Sequence, residues 1–387
     1  MSARPQALLD EGAAAGVFSC ASAVVWLGGE RVFEGGAGGA TPGTVFDVAS
    51  LTKVMSTTAL FLSLWREGKV EPDLSVARVF PDSAAGRAGV TLGDLLNHRS
   101  GLPAVVPFFA PVMRDHPRLF DPDCPRDLLA VVRRAVVEQA LATPLSSRPR
   151  TRAVYSDVGF IVLGELLAVG GGAPLDALFA ERIGAPLGLS ACFRRRSAPP
   201  AGPPAAEIAP TGTTRPREPA PGQEGSVYPM PSRPSAPGEV DDDNAWVMDG
   251  VAGHAGLFGT ARDVVAFGQA VLDEVAGRSR IAPPGLWAEA LRRDAETADS
   301  TRALGFDTRL PADPVEGSSA GRHVGRIEPG AVGHLGFTGT SLWVDLARRL
   351  VVALCTNRTA RGRAETRIRD FRPRFHDAVI ETLDLGH

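Results

Sequence analysis

The chain has 387 residues, 44% of them apolar and 22% charged. At roughly 150 residues per unit that length predicts two or three packed units, and the apolar share excludes disorder along the whole chain. With 41 basic against 44 acidic side chains, a net charge of −3, a dedicated nucleic-acid binder is excluded, because such a protein carries a basic excess.

The stretch 12–29 is uncharged, but Asp10 and Glu11 precede it and Arg4 is the one basic residue before it. That is not the basic approach of a secretory leader, and the Ala/Gly/Ser content is too weakly apolar for a membrane span. A soluble, cytoplasmic chain is expected. Ser22 to Leu27 predicts a strand, the turn 28–30 follows, and a return strand runs near Arg31 to Gly35. After a Gly-rich turn at 35–43, Phe46-Asp47-Val48-Ala49 leads to Ser50-Leu51-Thr52-Lys53 and an apolar run to Trp65. Helical spacing predicts a helix there, stopping at Gly68.

Thr91 with Asp94 reads as a capping box for a helix to Asn97. Further helices are expected over 125–142 and 157–169. Residues 197–240 hold 12 of the 32 prolines, so they form a linker or long loop without regular structure. Thr260 with Asp263 caps another helix. Leu342–Asp345 and Leu350–Thr356 read as a second hairpin, and the last 20 or so residues as a closing helix. Strands at both ends with helices between predict an α+β fold: one antiparallel sheet built from both termini, residues 1–72 and 250–387, with a mainly helical unit over 73–249. Cysteines at 20, 124, 192 and 355 are too scattered for a disulfide scaffold and lack metal-ligand spacing, so they read as inert packing residues.

The sharpest chemical feature is Ser50-x-x-Lys53 at a helix start. A serine hydroxyl is a poor nucleophile until a neighbour takes its proton, and three residues along a helix nearly complete one turn. A lysine buried beside it is expected to have a depressed pKa and serve as that neighbour. Tyr155-Ser156-Asp157 and Gly333-His334-Leu335-Gly336-Phe337-Thr338-Gly339 follow later in the chain.

These three segments resemble the motifs of the class C β-lactamase branch of the penicillin-binding-protein superfamily, which also holds D-alanyl-D-alanine carboxypeptidases and family VIII carboxylesterases. Gly16-Val17-Phe18, Leu95 to Pro103, Ile208 to Thr211, Asn244-Ala245-Trp246 and Gly250 to Phe258 resemble the same superfamily in order, so the likeness spans roughly residues 16–360. The resemblance implies the β-lactamase/penicillin-binding-protein fold and acyl transfer through Ser50. Lys53 and Tyr155 share the proton, with the order between them open. The backbone N–H groups of Ser50 and Phe337, the latter following Gly336, form the oxyanion hole. It implies no cofactor and no metal. The expected partner is a small ester, amide or β-lactam.

Three departures shape the substrate expectation. His334 and Leu335 stand where the resemblance implies lysine and threonine, and Asp157 where it implies asparagine. A neutral histidine and a leucine hold a carboxylate poorly. Asp157, if ionised, repels an anionic substrate or pairs with Lys53. The expectation is an esterase or amidase for small acyl groups. The alternatives are a D-amino-acid-specific peptidase, a carboxypeptidase, a weak β-lactamase, or a non-catalytic penicillin-recognising module. An unperturbed His334 would become a cation below about pH 6.5 and partly restore β-lactam binding. His254 reads as a turn histidine bonded to backbone, His98 as a helix-end stabiliser, Asp241-Asp242-Asp243 as a solvated loop, and Arg148, Arg150 and Arg152 as a solvated run.

Overall fold

A computed structural model describes residues 3–121, 123–198, 201–204, 207–212, 237–278, 280–298, 300–309 and 319–385. Most of the Pro-rich stretch 197–240 lies outside the described residues.

The N-terminal hairpin forms as β1 (Ala21–Leu27) and β2 (Glu30–Ala37). The short strand β3 (Val45–Asp47) follows, then β4 (Cys192–Phe193) and β5 (Leu257–Thr260). Near the C-terminus run β6 (Asp307–Arg309), β7 (Ala331–Leu335), β8 (Ser341–Asp345) and β9 (Leu350–Thr356). Six of them make one antiparallel sheet in the order β2-β1-β9-β8-β7-β6. The two termini therefore meet through the β1·β9 ladder, in which Ser22 faces Cys355 and Val24 faces Ala353.

Side chains alternate across this sheet with a period of two. Ala21, Ala23 and Val25 of β1 and Val352 and Leu354 of β9 face a core shared with Leu9, Phe18, Phe371 and Phe375. Val24, Val351, Ala353 and Cys355 face the larger core, beneath the helix Ala261–Val275. Phe371 and Phe375 belong to the closing helix Ile368–Thr382. Phe18 meets Phe371 edge to face at 5.0 Å, an arrangement worth about 0.5–1.5 kcal/mol beyond burial.

The first helix has no counterpart in the sequence-based expectations. Ala3–Ala14 is a helix with weak apolar periodicity; packing of Leu9 and Leu8 against the aromatic cluster holds it. The helices expected from capping signals and periodicity form at Leu92–Leu96, Arg126–Ala142, Asp157–Gly171 and Ala261–Val275, and both capping boxes close.

A second, three-stranded sheet, β3-β5-β4, was not foreseen, because its strands are only two to four residues long. It matters for function. β3 pairs with β5, Asp47 opposite Phe258, so the loop leaving β3 and the turn entering β5 lie side by side. The first loop carries Ser50 and the second carries His254. Among the described residues no single helix is long and apolar enough to cross a membrane.

Candidate active site

The chain leaves β3 through a sharp turn at Ala49, a non-glycine residue at φ 49°. Asp47 holds that turn: its Oδ1 accepts from the Ala49 N–H at 2.8 Å and its Oδ2 from the Asp241 N–H at 2.7 Å. Burial pushes the Asp47 carboxyl up to about 7, with those two N–H groups opposing the rise. Ser50 follows, half-buried, and the next turns are wide. Residues Lys53–Thr58 wind as a π-helix before regular helix resumes at Ala59–Arg66. π segments of this kind are rare and concentrate at functional sites.

Lys53 has no exposed surface. Its Nζ donates to Ser50 Oγ at 3.2 Å, to Asp157 Oδ1 at 2.7 Å and to the His254 carbonyl at 3.1 Å. An ammonium has three N–H groups, and all three are used. Burial alone would depress this lysine, as the sequence reading expected. Asp157 and Tyr155 outweigh it and hold Lys53 above its ordinary value. One turn on, Thr57 donates to the Gly253 carbonyl at 2.6 Å. The helix Asp157–Gly171 crosses the same turn so closely that a Cβ on Gly253 would lie 2.2 Å from the Phe160 carbonyl, which only glycine avoids.

Tyr155 stands against Lys53, its ring centroid 4.8 Å from Nζ, and its hydroxyl couples to both Lys53 and Ser50. Burial raises the phenol's pKa and the Lys53 charge works against that rise. The ring is flanked by His98 at 4.6 Å and His334 at 5.7 Å, with the Arg302 guanidinium 5.2 Å from its centroid. His98 Nδ1 accepts the Ser156 N–H at 3.0 Å, so this histidine fixes the Tyr155 segment and not merely the helix end. Asp157 begins its helix, with Ser156 as the cap.

His334 lies on β7, buried, with Nδ1 2.8 Å from the Leu335 carbonyl. That contact makes Nδ1 the donor and leaves Nε2 a lone pair without a hydrogen-bond partner among the described residues. Burial, and then the charges of Lys53 and Arg302, push the ring well below the ordinary histidine value. The expected cation below about pH 6.5 is therefore corrected: a positive charge here would be desolvated and would face two others.

Gly336 and Phe337 follow. Thr338 Oγ1 donates to the Asp47 carbonyl at 2.7 Å and Thr340 Oγ1 to the Val48 carbonyl at 3.0 Å, stapling this turn to the Ser50 loop. The approach is so close that a Cβ on Gly336 would sit 1.9 Å from Thr340 Oγ1 and 2.6 Å from the Val48 carbonyl. Arg358 Nε bonds the Phe337 carbonyl at 2.6 Å, and its guanidinium lies 4.2 Å from the ring centroid. Among the described residues, neither the Ser50 nor the Phe337 N–H has an intramolecular acceptor.

Several sequence expectations are corrected by this geometry. His254 bonds a side chain, with Nε2 2.9 Å from Asp242 Oδ1, and its own carbonyl receives Lys53. Asp241 and Asp243 are buried, and Arg363 reaches them at 3.2 and 3.1 Å, so an arginine fills what a cation would. Asn244 bridges to the Val106 carbonyl and the Phe109 N–H, fixing the loop beside Asp157. Arg150 pairs with buried Asp94 at 2.7 Å. Asp47, Arg302 and Arg358 had no sequence signal, because each acts through contacts made across more than 100 residues of chain or through backbone atoms.

The model of the Beta-lactamase family matches residues 6–372. The chain belongs to the Beta-lactamase family. Membership places it among serine hydrolases of the β-lactamase/penicillin-binding-protein fold. A protein of Escherichia coli (strain K12), provisionally named a D-alanyl-D-alanine carboxypeptidase, is 28% identical over 347 residues, spanning 82% of this chain and 70% of that protein. The octameric penicillin-binding protein homologue from Pyrococcus abyssi superposes with a TM-score of 0.66 at 16% identity, over 97% of this chain and 75% of its own. D-amino acid amidase from Ochrobactrum anthropi SV3, complexed with L-phenylalanine, gives a TM-score of 0.67 at 20% identity over 98% of both chains. At these identities the two structures establish the fold alone.

Proposed function

We propose that this family member hydrolyses small esters or amides through an acyl-enzyme on Ser50. The single observation that carries the reading is Lys53 Nζ, fully buried and shared among Ser50 Oγ, Asp157 Oδ1 and the His254 carbonyl. Of those three partners only the serine can reverse its hydrogen bond. A carboxylate and a carbonyl accept only, whereas a hydroxyl can also donate. The Ser50 proton thus has one short exit, into the Lys53–Tyr155 pair.

In the proposed reaction the Lys53–Tyr155 pair, which holds both its protons at rest, first releases one to solvent; Ser50 Oγ then bonds to the substrate carbonyl carbon and its proton passes to that pair. The oxyanion rests against the N–H groups of Ser50 and Phe337, both free of protein acceptors among the described residues. Collapse expels the alkoxide or amine, which takes the proton back from the pair. Water then repeats the sequence on the acyl-enzyme, releasing the acid and restoring Ser50. The neutral His334 and apolar Leu335 favour acyl donors without a carboxylate over β-lactams. The intact Ser50–Lys53–Tyr155 cluster disfavours a purely non-catalytic module.

The proposal places the site between a mixed unit, 1–72 with 250–387, and a mainly helical unit, 73–249. It places the chain in the cytoplasm, a setting that suits four unpaired cysteines. Intact-mass analysis after exposure to a fluorophosphonate, a penicillin and a p-nitrophenyl ester tests the chemistry. The expected result is a stable fluorophosphonate adduct on Ser50 and rapid ester turnover, both abolished by Ser50→Ala with the fold retained. Near-normal turnover by Ser50→Ala would sink the assignment.

A further inference from the structure

Asp157 changes what the site can recognise. Asparagine both donates and accepts; an aspartate only accepts. Its Oδ1 is taken by Lys53 at 2.7 Å, and among the described residues no donor reaches Oδ2. The side chain keeps 19% of its surface exposed while Lys53 keeps none. Ser50 and Asp157 are both partly exposed, and both are held on the same buried ammonium. Through the shared Nζ, Oδ1 is separated from Ser50 Oγ by no more than the sum of those two hydrogen-bond lengths. The backbone fixes this placement, since the Asp157 N–H bonds the Ala104 carbonyl at 2.8 Å and the residue opens a 15-residue helix whose N-terminus favours an anion.

That spacing matches one kind of acyl donor. In an aminoacyl ester or amide the α-nitrogen lies two covalent bonds, about 2.5 Å, from the carbonyl carbon that Ser50 attacks. We propose that the free oxygen of Asp157 binds the α-ammonium of such a donor, so that the enzyme selects substrates with an unblocked amino group over N-acylated ones. The inference rests on the acyl-enzyme reading of Ser50 and names its substrate class. An N-acylated donor offers one uncharged N–H and sets a carbonyl oxygen near a carboxylate that cannot donate to it. A charge-assisted bond is about twice as strong as a neutral one.

The groups around Asp157 permit this. Lys53 is the cation directly on it, from the Ser50 helix. Arg302 lies across the Tyr155 ring and is paired with Asp307. Burial keeps His98 and His334 neutral, and Tyr155 keeps its proton. An ammonium seated on Asp157 also weakens that carboxylate's hold on the Lys53 proton, so recognition reaches kcat as well as KM.

The test compares alanine p-nitroanilide with N-acetylalanine p-nitroanilide, in both enantiomers, on the wild type and Asp157→Asn at pH 6.5 and 9. The wild type should favour the free amine by about 10- to 100-fold in kcat/KM at pH 6.5. The preference should fall toward parity at pH 9, above the α-amino value of about 7.7–8.0. Asp157→Asn should show a ratio near one at both pH values, whatever its absolute rate. A wild-type preference for the acetylated substrate, or a ratio that Asp157→Asn leaves unchanged, overturns the proposal. Should that variant not fold, calorimetry of alaninamide against N-acetylalaninamide on Ser50→Ala gives the same decision, and equal affinities refute the Asp157 assignment. Loss of fluorophosphonate labelling at Ser50 in the wild type would instead refute the acyl-enzyme reading, so the two failures are separable.

Discussion

On the helical wall of the site, Lys53 has no exposed surface and every donor of its ammonium is taken. On the strand wall His334 is buried too, yet its Nε2 has no hydrogen-bond partner among the described residues, and Phe337 three residues further on is 42% exposed. The first wall is over-determined: any change there unpairs a buried charge. The second holds its backbone tightly through Thr338, Thr340 and Arg358 while leaving its side chains loosely specified. Proton chemistry and the proposed ammonium site at Asp157 therefore belong to the helical wall and discrimination of a substrate carboxylate to the side chains of the strand wall, with the strand backbone serving both. Changes to each wall should separate along that line.

The largest losses are expected on the helical wall. Lys53→Ala and Tyr155→Phe should each slow fluorophosphonate labelling by about a thousandfold or more, and the double variant should be little worse than either. Groups that share one proton-transfer task act as a unit, so their losses do not multiply. Labelling rates of the four proteins complete the cycle, and losses that multiply cleanly would break the shared-proton picture.

Next comes the strand backbone. Gly336→Ala forces a Cβ to within 1.9 Å of Thr340 Oγ1 and 2.6 Å of the Val48 carbonyl, so the staple to the Ser50 loop must open. Displacing one oxyanion donor costs about 10²–10³-fold in kcat. A kcat near that of the wild type, in a variant of unchanged Tm, would show that the Phe337 N–H carries no charge in the reaction.

The asymmetry between the walls also explains what could be read from the sequence. Ser50 and Lys53 lie nearly one helical turn apart, so residue spacing pointed to them, whereas Tyr155 and Asp157, about 100 residues on, were reached only through their resemblance to the family motif. The sheet was legible because Ser22–Leu27 and Leu350–Thr356 have strand composition and turn-like flanks. The helix Ala3–Ala14 was not, because packing on Phe18 and Phe371 holds it rather than its own periodicity. Asp47 and Arg302 were invisible for a different reason. Their partners are a backbone N–H 194 residues away and a ring brought alongside by the tertiary fold. The sequence also misjudged Lys53, since burial alone argues for a depressed lysine and the placement of Asp157 and Tyr155 beside it reverses that.

A smaller effect is expected on the side chains of the strand wall. His334→Lys with Leu335→Thr should raise acylation by benzylpenicillin about tenfold and leave p-nitrophenyl acetate nearly unchanged. A charge-assisted bond to the penicillin carboxylate is worth about 1.5–3 kcal/mol, and the lower end applies because Lys53 and Arg302 already oppose positive charge at position 334. Equal changes on both substrates, measured as kcat/KM, would place His334 in the proton chemistry rather than in substrate choice.

The smallest expected effect is none. The ratio of p-nitrophenyl acetate to benzylpenicillin turnover should stay within about twofold from pH 5.5 to 8. An ordinary histidine would gain a proton across that window and begin to attract the penicillin carboxylate. His334 should not, because burial and the charges of Lys53 and Arg302 all penalise its charged form. A histidine held well below its usual value stays neutral as the pH falls past the point where an ordinary one gains its proton. Asp47 does titrate within it, being pushed up to about 7. It acts by fixing the Ala49 turn before Ser50, so its ionisation changes both rates by the same factor and cancels in the ratio. Neither substrate carries a free amine, so recognition at Asp157 does not enter. A ratio that moves toward the penicillin as the pH drops would mean that His334 gains a proton in the cleft, and the strand wall would then carry a charge that its burial forbids.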